Sequence, residues 1–338
     1  MKRRKPIFIF IACFLLLGVF TLGIFTAVGG LRPVKERVVS NQTEASAASQ
    51  PAGDVLVGDQ PENVSIQWFN SPKPEALQGV ALVIHGLNLH PDRMGPVVEN
   101  LNRSGIDALG LSLRGHGANY DPRLDMDADE ARLETFKNVS YTLWLNEAYL
   151  AYRQVQKRAQ QHNVPVFLTA FSIGGLIGLD LLISNPDVHF DKMVLLAPAI
   201  SLHATVYLER ILSPFPHLVI PSLADDDYLA NKKGTPVAAY NALFEALNHF
   251  EENAGSKLNI PALIFIDKKD EFIPWRGLKE LVEEHKLDQW QFYIVQKEKE
   301  MVAGTFHHHI LDASSTGEGV WQAMMAATTN HLLGDKAK

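Results

Sequence analysis

Cysteine is almost missing from this chain: 338 residues hold one, Cys13. Everything after it must fold without a disulfide, which allows an oxidising compartment without indicating one. Positive charge is also short, with 31 Lys and Arg against 38 Asp and Glu, a formal net charge of −7. Four of those cations, Lys2, Arg3, Arg4 and Lys5, precede the first acidic residue, Glu36; without them the balance is 27 against 38, or −11. No basic stripe offsets that excess, so nucleic acid is not an expected partner. The sequence also lacks a phosphate-cradling glycine loop, a second His/Cys cluster and an internal repeat. No cofactor and no metal are expected on these grounds.

What the chain does have begins at its amino terminus. Ile7 to Val28 is a run of twenty-two residues without a charge, ~33 Å as a helix and long enough to span a bilayer. The basic tip before it predicts an inside amino terminus, with Arg32, Lys35 and Arg37 on the far side opposing that orientation. No persuasive cleavage site follows, so the expectation is a single-span membrane anchor, residues 1–30, with the rest outside the cytoplasm. Residues 31–63 read as linker and lead-in, polar and small-residue-rich between Val38 and Gly53. Residues 64–338, about 275 in number, are enough for one domain with a substantial core.

That domain shows apolar, β-prone runs at 80–84, 108–113, 165–170, 193–197, 262–266 and 291–295, with helical patterns between them. Trp144, Ala148, Ala151 and Val155 fall on one helix face. Continuous apolar strands alternating with helices predict an α/β fold with a mostly parallel sheet covered on both faces. Between the strand at 165–170 and the glycine-rich helix start 174–179 lies Phe171-Ser172-Ile173-Gly174-Gly175. A serine on a sharp strand-to-helix turn between small residues is the context of a nucleophile elbow, here with Ala170 where glycine is usual. A serine hydroxyl needs a base, usually histidine, oriented by a carboxylate. Candidates for the base lie in His307-His308-His309. Candidates for the acid follow the strand at 262–266: Asp267, Asp270 and Glu271. Three consecutive histidines could also suggest a metal site, but adjacent side chains diverge and the spacing is unsuited to one ion.

In order, His85-Gly86, Arg114-Gly115-His116-Gly117, the Ser172 elbow, Asp270-Glu271-Phe272-Ile273-Pro274 and the histidines near 307 resemble the monoacylglycerol lipase and lysophospholipase group of the α/β-hydrolases. The resemblance covers about 64–335, with Ser112 departing where the group usually has aspartate. It implies a serine hydrolase with Ser172 as nucleophile and Asp270 as acid. It implies His307 as base, since related sequences carry a carboxylate five residues on, as Asp312 is here; His308 is the runner-up. It implies oxyanion donors at the backbone N–H groups of Leu87 and Ile173, with His85 and His116 fixing turns. Residues about 200–258 fall where this group carries a cap, whose apolar members (Val206, Leu208, Ile211, Leu212, Phe215, Leu218) would line an acyl channel or form the cap's own core. The acidic run 225–227 reads as solvated surface. The implied activity is hydrolysis of carboxylic esters, with lysophospholipids or monoacylglycerols as substrates. Thioesters and peptides are open to the same triad, and a non-catalytic lipid-binding or interaction module is the reading from another class.

Overall fold

A computed structural model describes residues 64–334, apart from Lys73, Leu223 and residues 299–305. The expected membrane span and linker lie outside the described residues. Among the described residues no helix is long and apolar enough to cross a membrane.

The strands are β1 (Ser65–Phe69), β2 (Gly79–Ile84), β3 (Ile106–Ser112), β4 (Val166–Phe171), β5 (Lys192–Leu196), β6 (Val219–Ile220), β7 (Thr235–Pro236), β8 (Ala262–Asp267) and β9 (Trp290–Val295). Seven of them form one sheet in the order β1-β3-β2-β4-β5-β8-β9. All neighbours are parallel except β1, which runs antiparallel to β3 at the edge. Every residue of β2, β4 and β8 is buried, as continuous apolar runs require when helices cover both faces of a parallel sheet. The edge strand β1 was not legible in advance, because its residues are mostly half-buried and short on apolar continuity.

The helix Tyr141–His162 shows how the sequence writes its own limits. Ser140 caps its start by accepting from Leu143 N–H, and Asn163 ends it in the left-handed conformation at φ 53°, a role that Asn tolerates better than most residues. The expected face of Trp144, Ala148, Ala151 and Val155 is fully buried.

Between β5 and β8 the alternation breaks, as expected. A 3₁₀ helix (Val206–Leu212) and the two-stranded ribbon β6–β7 are followed by the helix Val237–Asn253. That helix buries Val237, Ala239, Ala242, Leu243, Ala246, Leu247 and Phe250, and all but the first join the main core. The excursion over the sheet edge therefore ends near residue 236, and 237–253 is one of the covering helices. Leu208, Ile211, Phe215 and Leu218 are 45%, 62%, 58% and 47% exposed; they form neither a cap core nor a closed channel. Asp225, Asp226 and Asp227 are exposed, and the next four residues, Tyr228 to Asn231, are buried.

Strand order reverses between β2 and β4: the chain steps from β2 to β3 on one side, then crosses to β4 and continues to β5, β8 and β9 on the other. In open α/β sheets the crevice at the carboxyl ends of such strands is where ligands bind. The loops after β2, β4, β8 and β9 carry residues 85–89, 172, 267–273 and 306–309, so every candidate site residue belongs to this edge.

Candidate active site

Ser172 sits at the end of β4 with φ 53° and ψ −121°, a conformation that costs a non-glycine residue about 1–3 kcal/mol unless its surroundings enforce it. They do. Its N–H donates to Leu196 O at 3.0 Å, and its carbonyl accepts from Gly175 N and Ala199 N, both at 3.0 Å. The turn is thereby fastened to the end of β5, and the hydroxyl makes no capping bond to the helix it opens. Gly174 explains the small residue after the serine: a Cβ there would lie 2.5 Å from the carbonyl oxygens of both Ile84 and His85. Backbone on backbone leaves nothing flexible to yield. Gly174→Ala is expected to lower the melting temperature by several degrees and to slow labelling of Ser172 by a fluorophosphonate; thermal denaturation and labelling rate check it.

The three histidines diverge. His308 Nε2 lies 3.0 Å from Ser172 Oγ, and its Nδ1 lies 2.8 Å from Asp270 Oδ2. His307, the expected base, instead puts Nδ1 2.7 Å from Asp267 Oδ2 and does not meet the serine. His309 stacks on Tyr228 with ring centroids 4.6 Å apart, and burial holds its pKa down to about 3. The expectation of His307 is thus corrected to His308 by the direction of each ring. Asp312, whose spacing suggested His307, caps the short helix Ala313–Thr316 and accepts from the Tyr228 hydroxyl, so it says nothing about which histidine reaches Ser172.

Asp270 is the carboxylate that meets His308. Its Oδ1 accepts from Phe272 N at 2.8 Å and Ile273 N at 2.9 Å, leaving Oδ2 for His308. Burial pushes its pKa up, but His308 and the two amides outweigh that and hold it below the ordinary 3.8, since each favours the charged form. The His308 ring packs against Phe171 and edge-on to Phe272. The histidine turn itself is held from two sides. Glu271 accepts from His307 N and His308 N, and Lys297 Nζ donates to Phe306 O and His309 O at 2.7 Å each. Burial lowers Lys297 to about 8, against the attraction of Asp267, Glu271, Asp270 and Asp312. The roles of Glu271 and Lys297 left no trace in sequence, because an exposed glutamate and a lysine after a strand look like ordinary surface.

Ile173 is the first residue of its helix, so its N–H is one of the amino-terminal donors with no acceptor inside the helix. Leu87 lies in the loop after β2, and two buried histidines shape that loop. His85 Nε2 accepts from Leu113 N at 3.0 Å while its Nδ1–H donates to Gly86 O. His116 Nε2 accepts from Asn88 N at 3.0 Å while Nδ1–H turns to Leu113 O and Arg114 O. Each ring must therefore be neutral. Burial agrees, pushing His85 down to about 4 and His116 well below its usual value. The Arg114–Gly117 turn is held by Glu147, fully buried, which accepts from Arg114 N, Arg114 Nε and Asn119 Nδ2.

Comparison with known proteins bears on the fold and on part of the sequence. The family model described as serine aminopeptidase S33, a hydrolase family, matches residues 75–225. A soluble variant of the monoglyceride lipase from Saccharomyces cerevisiae superposes with a TM-score of 0.63 at 13% identity, covering 86% of this chain and 99% of that one. The monoacylglycerol lipase of Paleococcus ferrophilus gives 0.56 at 19%, over 80% and 99%. A metagenome-derived lipolytic enzyme gives 0.61 at 17%, over 79% and 96%. No curated protein sequence matches the chain. At such identities the structures speak for the fold, and the family model speaks for the residues between β1 and the acidic run, Ser172 among them. Over residues 75–225 the chain matches this hydrolase family, and its fold is the α/β-hydrolase fold shared with those lipases.

Proposed function

We propose that this protein hydrolyses carboxylic esters through an acyl-enzyme on Ser172, with monoacylglycerols or lysophospholipids as the substrate class. The observation that carries the reading is the unbroken chain from Ser172 Oγ through His308 to Asp270, 3.0 and 2.8 Å long. His308 accepts the serine proton as Oγ attacks the ester carbonyl, and Asp270 stabilises the imidazolium so formed. Charge developing on the carbonyl oxygen meets the N–H groups of Leu87 and Ile173, donors of a kind whose removal costs about 10²–10³ in kcat. His308 then protonates the departing alcohol, and a water, activated by the same ring, releases the acid. Ser172 is 8% exposed, which suits attack in a site shielded from bulk water.

The uncharged run 7–28 behind a basic tip supports attachment to a membrane, with the catalytic domain on the extracytoplasmic side. The full chain in detergent should cleave p-nitrophenyl esters, and the acyl length preferred between two and sixteen carbons distinguishes a small-ester esterase from a lipid hydrolase. Pre-treatment with a fluorophosphonate should abolish turnover, and peptide mapping should find the label on Ser172. Absence of both turnover and label in the folded chain would favour the binding-module reading. A second reading, peptide hydrolysis with the same residues, is supported by the description of the matching family model. Cleavage of aminoacyl p-nitroanilides in preference to esters would select it.

A further inference from the structure

The loop that carries Leu87 is built into the excursion between β5 and β8, and Asn88 is the joint. Asn88 takes a left-handed φ of 50° and is 3% exposed. Every polar group it has is used. Its N–H donates to His116 Nε2, its carbonyl accepts from Ala230 N at 2.9 Å, and its side-chain oxygen accepts from Asn231 N at 2.8 Å. Its side-chain amide donates to Asn231 O at 3.2 Å. One residue further, Leu89 and Leu229 form an antiparallel bridge, and His90 N donates to Tyr228 O. Asn231 is in turn anchored through Nδ2 to Gly115 O at 3.0 Å, in the turn that holds His116. Asn88 thus ties together the loop after β2, the turn after β3 and the far end of the excursion, 143 residues away.

We propose that Asn88 is a positioning residue that aims the Leu87 N–H at the developing oxyanion, and that it does so only while residues 228–231 are seated against it. The inference rests on the serine-hydrolase reading above. Residues 228–231 close the cap excursion, so any movement of the cap that lifts them also releases the Leu87 donor. Catalytic competence and the seated cap are then one state, because a donor displaced by a fraction of an ångström loses most of its worth to the transition state.

Asn88→Gly tests this without the strain that alanine would meet at a positive φ. The expected result, in the full chain, is a fall in kcat of about 10–100-fold with KM within about threefold, since the hole serves the transition state more than the ground state. The rate of Ser172 labelling by a fluorophosphonate should fall in parallel, which reads the hole whichever ester is the substrate. Asn231→Ala should show the same pattern, and the double variant should be no slower than the slower single variant, as for two links of one chain. A kcat and labelling rate for Asn88→Gly within twofold of wild type would overturn the proposal, as would additive losses or a loss confined to KM. A wild-type chain that is active while Asn88→Gly is equally active defeats this inference alone. A wild-type chain that neither turns over nor labels defeats the serine-hydrolase reading and this inference with it.

Discussion

Replacing His308 by alanine is expected to lower kcat by about 10⁵–10⁶, and Ser172→Ala should match it. The double variant should be no worse, because either loss alone already removes the proton transfer that makes the hydroxyl a nucleophile. His307→Ala should stay within about tenfold of wild type. Its ring faces Asp267 and not Ser172, and the backbone of the turn keeps its other holds, Glu271 on His307 N and His308 N and Lys297 on Phe306 O and His309 O. What His307→Ala removes is a partner from a buried carboxylate, worth about 1–3 kcal/mol in stability. His308→Ala likewise strips a partner from the still more buried Asp270, so thermal denaturation should show both variants destabilised while kinetics separates them. Steady-state assays of the three variants check the assignment; a collapse in His307→Ala with His308→Ala still active would return the base to His307.

Asp270→Asn is expected to cost about 10⁴ in kcat through the wrong histidine tautomer. Asp270 Oδ1 is committed to the amides of Phe272 and Ile273, which only an oxygen can accept. An asparagine must therefore keep its carbonyl there and turn its NH₂ toward His308 Nδ1. That nitrogen becomes an acceptor, the ring proton moves to Nε2, and Ser172 faces a donor where it needs a base. Asp267→Asn, at the neighbouring pair, should leave kcat within about tenfold. The acid side gives a second readout. Asp270 is held below its ordinary 3.8 in the folded chain, so its contribution to stability is present above 3.8 and lost as pH falls through the folded value. The stability difference between wild type and Asp270→Asn should be open at neutral pH and narrow on acidification below about 4, which denaturant unfolding at several pH values measures.

Much of the site was legible because it is written locally. A buried strand that runs into small-x-Ser-x-Gly can make few turns other than the elbow, and the structure adds the reason for Gly174 in the two carbonyls it passes. Asp270 was legible because it follows a continuous apolar strand and begins a short turn whose amides fold back on it. The turn-fixing histidines were legible for a similar reason, each standing beside a glycine at a strand end. The choice among His307, His308 and His309 was not. Consecutive side chains differ only in direction, and direction here depends on anchors at Glu271 and Lys297 that the turn meets only after folding.

The extent of the cap is a parallel case. An interruption in the strand–helix rhythm marks where an excursion begins, but nothing in the pattern of 237–253 tells a cap helix from a core helix, since both carry an apolar face. Its burial against the main core decides it. By itself, then, the sequence determined the parallel α/β sheet, the sharp strand-to-helix turn at Ser172 and the turn that begins at Asp270, each set by neighbours within a few residues. Tertiary structure alone decided that His308 faces the serine and that Asn88 is bound to Asn231. Those contacts join residues 136 and 143 apart, and local propensity carries no information about which distant backbone group will close a hydrogen bond.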